Sequence, residues 1–334
     1  MARPKLLENF SQLRFRLKPL GHLGLYLALV WVLWTAKNII LEFTFRGPVL
    51  QTEPRIVFFE DFAGFIAVYL AALVLARIER HPVGTYGLPM AQPALPRFLQ
   101  GCGLGLVEVC SLMGLIALFG GYSFGDLAIH GSDILRWSLA WAVIFIFVGL
   151  FEEFAFRGYT LYALAESIGF WPAAILFAAS FAFVHSSNPG ESIAGEAGVA
   201  AIALIFAFTL RRTGTLWLAV GWHAAFDFGE TFVFSVPDSG SVFPGHLSNS
   251  ALHGPVWLTG GPAGPEASVF SFVTMAALTL VFHFLFPYRA PSATASSTAA
   301  PQAPPLNLFP SEQDEIARAS SSTANLTNEK SPHE

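Results

Sequence analysis

The run ILRWSLAWAVIFIFVGLFEEFAFRGYTLYAL, residues 134–164, decides how the chain is read. It is apolar over more than the roughly 20 residues that cross the hydrocarbon layer as a helix. Yet it carries two adjacent acids, Glu152 and Glu153, and a base, Arg157. The rest of the chain agrees with a bilayer setting. Of 334 residues, 54% are hydrophobic and 14% aromatic, while 12% are Asp, Glu, Lys or Arg. A soluble domain carries about 25% charged residues, so polar surface is too scarce to cover a water-soluble globule. A mean hydropathy of +0.54 points the same way. The net charge of −5 is spread over tails and loops and leaves no basic footprint for nucleic acid. Cys102 and Cys110 share an apolar stretch at helical spacing, which suits packing or lipid-facing thiols rather than a disulfide framework.

Working outward, eight stretches have the length and apolarity of a span: His22–Phe43, Val57–Ala76, Phe98–Phe119, Ile134–Leu164, Phe170–His185, Ile193–Leu210, Thr215–Val236 and Ala267–Phe286. The first lies some 20 residues in, with no small-residue cleavage site after it, and is read as an uncleaved span. Basic residues set the orientation. Arg3, Lys5, Arg14, Arg16 and Lys18 precede the first span; Arg77, Arg80 and Arg97 surround the second connection; Arg157, Arg211, Arg212 and Arg289 follow on the same side. Opposite them stand Arg46 and Arg55, and the connections from Gly120, Ser186 and Pro237 onward contain no Lys or Arg. The expected fold is therefore all-α, a polytopic bundle of about eight transmembrane helices with both termini cytoplasmic. Residues 1–21 form a basic N-terminus and 22–289 the membrane domain. Residues 237–266 make a long Gly/Pro-rich exterior loop that dips back near Val256–Leu258. Residues 290–334, rich in Ala, Ser, Thr and Pro, read as a disordered cytoplasmic tail.

An ionisable side chain inside a span costs at least a few kcal/mol, so each is a functional candidate by default. The set is Lys37, Glu60, Asp61, Glu108, Glu152, Glu153, Arg157, His185, His223, Asp227, Glu230 and His283. Three groups within it share a one-turn spacing: Glu152-Glu153-x-x-x-Arg157, Phe181-x-x-x-His185 and His223-x-x-x-Asp227. Glu153 and Arg157, at i and i+4 with the acid first, have the better order for an intrahelical ion pair. That leaves Glu152 without a local cation and free to act as a general base. At about 1.5 Å per residue, Glu152 lies about 20 Å from the cytoplasmic turn near Ser167, and His223 and Asp227 roughly 15 to 21 Å from the turn near Gly214. His185, about 27 Å along its helix, fits a common depth least well.

These three motifs, each in its own span, resemble the CAAX protease and bacteriocin-processing (CPBP, or abortive-infection) family of intramembrane proteases. The resemblance covers roughly residues 134–228 and is strongest at Glu152–Tyr159; Leu258-Thr259-Gly260-Gly261 and Gly264-Pro265-Glu266 look familiar from bacterial members. It implies a multi-pass protein of a bacterial plasma membrane that hydrolyses a peptide bond of a membrane-embedded or lipid-anchored substrate. By resemblance, Glu152 activates the water, His185 helps to hold it, and His223 with residue 227 stabilises the oxyanion. Asp227 stands here where the best-understood members have Asn, and a carboxylate donates no hydrogen bond unless protonated. Asp227 then orients His223 or, with Glu152, His185 and His223, binds a divalent metal such as Zn²⁺, for which two His and two carboxylates are a suitable donor set.

Two rival functions stand beside this one: a proton-coupled transporter, since mid-membrane acids and histidines also build proton relays, and a non-catalytic immunity or scaffold protein of the same fold. No internal repeat supports the transporter. Gly121-Tyr122-Ser123-Phe124-Gly125 matches the G-x-S-x-G pattern, but a nucleophile elbow needs a strand before it and a helix after it. Here the pattern follows a membrane span and is expected to be a flexible exterior turn. Glu60, Asp61 and Glu108 are read as lining a water path, capping the site or packing with a neighbouring span.

Overall fold

In a computed structural model of the chain, residues 5–45, 52–90 and 94–287 are described. Arg3, Arg46, Arg289 and the segment 290–334 lie outside them. The bundle is built from α1 (Lys5–Thr44), α2 (Pro54–Glu79), α3 (Ala94–Leu118), α4 (Ser132–Arg157), α5 (Tyr159–Ile168), α6 (Phe170–His185), α7 (Ile193–Thr213), α8 (Trp217–Phe228), the single turn α9 (Val256–Thr259) and α10 (Val269–Leu285). Five stretches among the described residues are long and apolar enough to cross a membrane: Leu17–Thr44, Pro54–Glu79, Ala94–Leu118, Ser132–Ile168 and Ile193–Thr213. Phe170–His185 and Val269–Leu285 are shorter apolar helices. Large apolar side chains such as Trp31, Leu118, Phe183 and Phe284 point outward, as lipid contact requires. The molecule is an integral membrane protein.

The stretch expected as one long span at 134–164 is two helices. Gly158 leaves helical geometry (φ −81°, ψ −123°), and a Cβ there would fall 2.3 Å from the Phe154 carbonyl oxygen. The break lets α5 turn away and pack against α1 and α6. Its first residue, Tyr159, donates its hydroxyl to Glu79 Oε1 at 2.6 Å. Tyr86 donates to Glu79 Oε2 at 2.6 Å, and His22 Nδ1 lies 2.8 Å from Oε1. One carboxylate at the end of α2 thus ties together α1, α2 and α5.

Helix α8 is buried on nearly all sides, which explains why its sequence is apolar apart from His223 and Asp227. At 12 residues it is short, and it continues through a π-helical turn, Gly229–Phe234. Together the two fill the expected seventh span. Helix α3 can lie close along it because of glycines. A Cβ at Gly101 would fall 2.0 Å from the Leu218 carbonyl oxygen, and one at Gly105 2.2 Å from that of Trp222. This is the small-residue packing by which membrane helices bring their backbones together. Trp222 Nε1–H donates to the buried Glu108 across the same interface.

The G-x-S-x-G turn is more ordered than its composition suggested. Tyr122–Ser123 (β1) pairs antiparallel with Ala251–Leu252 (β2) of the long loop, in the register Tyr122↔Leu252 and Ser123↔Ala251. Tyr122 donates its hydroxyl to the Phe234 carbonyl at 2.9 Å, and Trp141 Nε1–H to that of Pro244 at 3.0 Å. The loop is therefore fastened over one end of the bundle. Within the loop, Val256–Thr259 forms the single turn α9, with Leu258 buried and Trp257 exposed.

Candidate active site

Helices α4, α6 and α8 bring the three motifs to one place. Glu152 and Glu153, adjacent on α4, point to different surroundings: the Glu153 side chain is fully buried, while that of Glu152 is 21% exposed. Arg157, one turn on, donates Nη1–H to Glu153 Oε1 at 2.8 Å, the intrahelical pair expected from spacing. The guanidinium also sits over the Phe181 ring at 4.5 Å, so α6 covers the pair.

Glu152 is not left alone as spacing implied. Its Oε2 lies 4.0 Å from His185 Nε2 and 3.7 Å from His223 Nε2. The far nitrogens of both rings are anchored. His185 Nδ1 is 2.8 Å from the Phe181 carbonyl oxygen; a carbonyl only accepts, so Nδ1 carries the proton and Nε2 faces Glu152. His223 Nδ1 is 3.0 Å from Glu153 Oε1, and its Nε2 faces both Glu152 and Asp227 Oδ2, the latter at 3.4 Å. The Phe206 ring stacks on His223 at 5.8 Å. His185, the weakest fit to a common depth when each helix is counted as a straight rod, nevertheless lies within 4.0 Å of Glu152.

The site opens into a cavity of about 340 Å³, whose lining includes Glu152, His185, His223 and Asp227. Asp61 of α2 and Glu108 of α3 also line it, whereas Glu60 pairs with Lys37 of α1 outside the lining. His283 lies elsewhere, its Nδ1 3.0 Å from Arg212. Two acids that sequence reasoning passed over also border the cavity: Asp238 and Glu266. They are the only acids in residues 237–266 and stand near its two ends, a signal visible in the sequence. Burial pushes the Asp238 carboxyl up to about 6 and that of Glu266 up to about 8.

The donor types are ones zinc accepts, but here they approach in pairs at 3.4 to 4.0 Å. The donors that gather within 4.8 Å of one another among the described residues are those of Glu230, Asp238 and Glu266. A zinc ion held at the histidines would need the pairs to draw together. Glu153 behind His223 would then be the carboxylate that orients a metal-binding imidazole. The same arrangement also suits general-base chemistry on a water, with the two Nε2 positions flanking the carboxylate. Ser123 Oγ of the G-x-S-x-G pattern is 2.8 Å from His253 Nε2. That contact is exposed, on a two-residue ribbon with no strand-to-helix elbow.

Residues 134–229 match the family model described as type II CAAX prenyl endopeptidase Rce1-like. The match contains all three motifs and is consistent with the resemblance to the CPBP family. At the family level it supports a CAAX-type intramembrane protease with a peptide or protein substrate. No curated protein and no solved structure matches the chain.

Proposed function

We propose that this chain is an intramembrane endopeptidase in which Glu152 activates a water for attack on a peptide carbonyl. The observation that carries the reading is the convergence of the Glu152 carboxylate with the Nε2 atoms of His185 and His223 at the edge of one cavity. Glu152 takes a proton from the water, whose oxygen attacks the carbonyl carbon. His185, locked by its Nδ1–H to Phe181, holds the water from the other side. His223, donating from both ring nitrogens, keeps Nδ1–H on Glu153 and offers Nε2–H to the oxyanion, the interaction that usually contributes most to acyl transfer. Asp227 braces that Nε2. Collapse of the tetrahedral species breaks the C–N bond, and Glu152 returns its proton to the leaving amine. Glu153 and Arg157 hold the constellation in place.

A divalent metal such as Zn²⁺ would be held by Glu152, His185, His223 and Asp227 and would supply polarisation of the carbonyl. The Lys and Arg asymmetry supports cytoplasmic termini, and the resemblance to the CPBP family supports a bacterial plasma membrane. The motif core 134–228 lies within a membrane domain of residues 22–289, and the substrate is a membrane-embedded or lipid-anchored peptide.

The test is cleavage of a quenched fluorescent peptide carrying an apolar anchor, by purified protein in liposomes. Wild type is expected to cleave it, while Glu152→Ala and His223→Ala stay folded and inactive. Equal behaviour of all three defeats the reading. A matched assay in excess chelator separates a loosely held metal from none: unchanged cleavage counts against it.

A further inference from the structure

Beyond the histidine-containing site lies a second group of acids that catalysis as described does not use. Glu230 sits on the π-helical turn after α8, fully buried, and neither carboxylate oxygen has a hydrogen-bond partner. Asp238 opens the long loop and is 8% exposed; its Oδ2 accepts from Thr231 Oγ1 at 2.9 Å. Glu266 lies on the 3₁₀ turn Pro265–Ala267 that closes the loop, and its Oε1 is buried without a partner. One carboxylate oxygen from each of the three lies within 4.8 Å of the other two.

Among the described residues no lysine or arginine pairs with this group. No Lys or Arg occurs between Arg212 and Arg289, and among the described residues none of the three acids forms an ion pair. The electrostatic neighbours include further acids, Asp227, Glu108 and Glu191, with His223 and His185 opposing them. Buried carboxylates without a partner are costly, and three converging on one point cost more. A cation resolves this, and the donor set says which kind. All the ligands are oxygens, which suits hard divalent ions rather than zinc or copper. Ca²⁺–oxygen bonds of about 2.3–2.6 Å place opposite ligands about 5 Å apart, so oxygens within 4.8 Å of one another can share one ion.

We propose that Glu230, Asp238 and Glu266 bind one hard divalent cation of the calcium or manganese type, which staples both ends of the 237–266 loop to the end of α8. Position supports a structural role. Glu230 follows His223 and Asp227 along one helix face at i+7 and i+3, so the ion would hold the helix that carries them. The loop ends already meet through Gly240 N–H and the Ala263 carbonyl at 2.6 Å. The remaining coordination positions would go to water or backbone carbonyls, as hard cations accept. This inference does not rest on the protease reading, and its test reads binding rather than cleavage.

The experiment titrates Mn²⁺ into the full chain in detergent micelles after chelator treatment and dialysis. Free Mn²⁺ is followed by electron paramagnetic resonance, and Ca²⁺ serves as competitor. Wild type is expected to take up one ion, displaced by Ca²⁺. Glu230→Gln and Asp238→Asn are expected to weaken binding at least tenfold, while Glu152→Gln and His223→Gln retain it. Ca²⁺ should raise the Tm of wild type and not of Glu230→Gln. If Glu230→Gln fails to fold, Glu266→Gln takes its place. No uptake by wild type at millimolar Mn²⁺ or Ca²⁺ overturns the proposal, as does wild-type affinity in the loop variants. Loss of the ion in His223→Gln instead places it in the histidine site and overturns the proposal too.

Discussion

His223 on α8 and Glu153 on α4 meet at 3.0 Å, Nδ1 to Oε1, and the oxygen that receives the imidazole also receives Arg157. One buried atom therefore joins a catalytic candidate to the ion pair that holds α4. Adjacent glutamates have separated into two jobs: Glu152 faces the cavity, and Glu153 faces the protein.

This division makes substitutions at the two positions differ in kind. Glu153→Ala leaves Arg157 buried without its partner, and breaking such a pair costs about 3–5 kcal/mol. Thermal unfolding in detergent should show a clear drop in Tm, with activity falling alongside. Glu152→Gln should leave Tm nearly unchanged while cleavage falls by about 10²-fold or more, the scale of general acid–base catalysis. A Tm loss in Glu152→Gln as large as in Glu153→Ala would show that both acids are structural.

Asp227 lies 3.4 Å from His223 Nε2, and an asparagine there keeps an oxygen to brace the ring. Asp227→Asn should retain cleavage within about tenfold of wild type, whereas Asp227→Ala should lose about 10²-fold, on the scale of one oxyanion-hole donor. Steady-state rates on the reporter peptide decide it. Equal losses in the two variants would mean that the negative charge itself is required.

The close approach of α3 to α8 predicts a sharp contrast between neighbouring glycines. A Cβ at Gly105 would overlap the Trp222 carbonyl oxygen, while one at Gly103 meets nothing within 4 Å. Gly105→Ala should lower stability by about 1–3 kcal/mol through overpacking. Gly103→Ala should be neutral or slightly stabilising, since alanine is the better helix former. The measurement is Tm of each purified variant, and equal effects would argue against so close an approach of the two backbones.

Ser123→Ala tests the remaining serine pattern. The hydroxyl meets His253 on an exposed ribbon, away from the cavity lining. Cleavage of the reporter should be unchanged, and loss of activity would move the chemistry to the loop.

The bilayer setting, the apolar stretches that supply the helices and the three one-turn motifs were legible in the chain. They depend on local quantities: apolar run length, scarcity of charge and the 3.6-residue period. The Glu153–Arg157 pair was legible for the same reason, being i to i+4 on one helix. Three features were not. The break at Gly158 depends on how a glycine backbone is used, and an apolar run does not reveal its own corner. The partnership of Glu152 with two histidines joins helices that spacing cannot relate. The grouping of the acids at 230, 238 and 266 joins a helix end to both ends of a loop, which period does not relate.

By itself the sequence determined that this is a membrane bundle and which few ionisable residues sit where lipid should exclude them, because the cost of charge in hydrocarbon is a property of each residue. Only the tertiary structure decided which of those residues face one another. That depends on where α4 stops, how closely glycines let α3 and α8 approach, and how the loop is fastened, and each of these is set by contacts between distant parts of the chain.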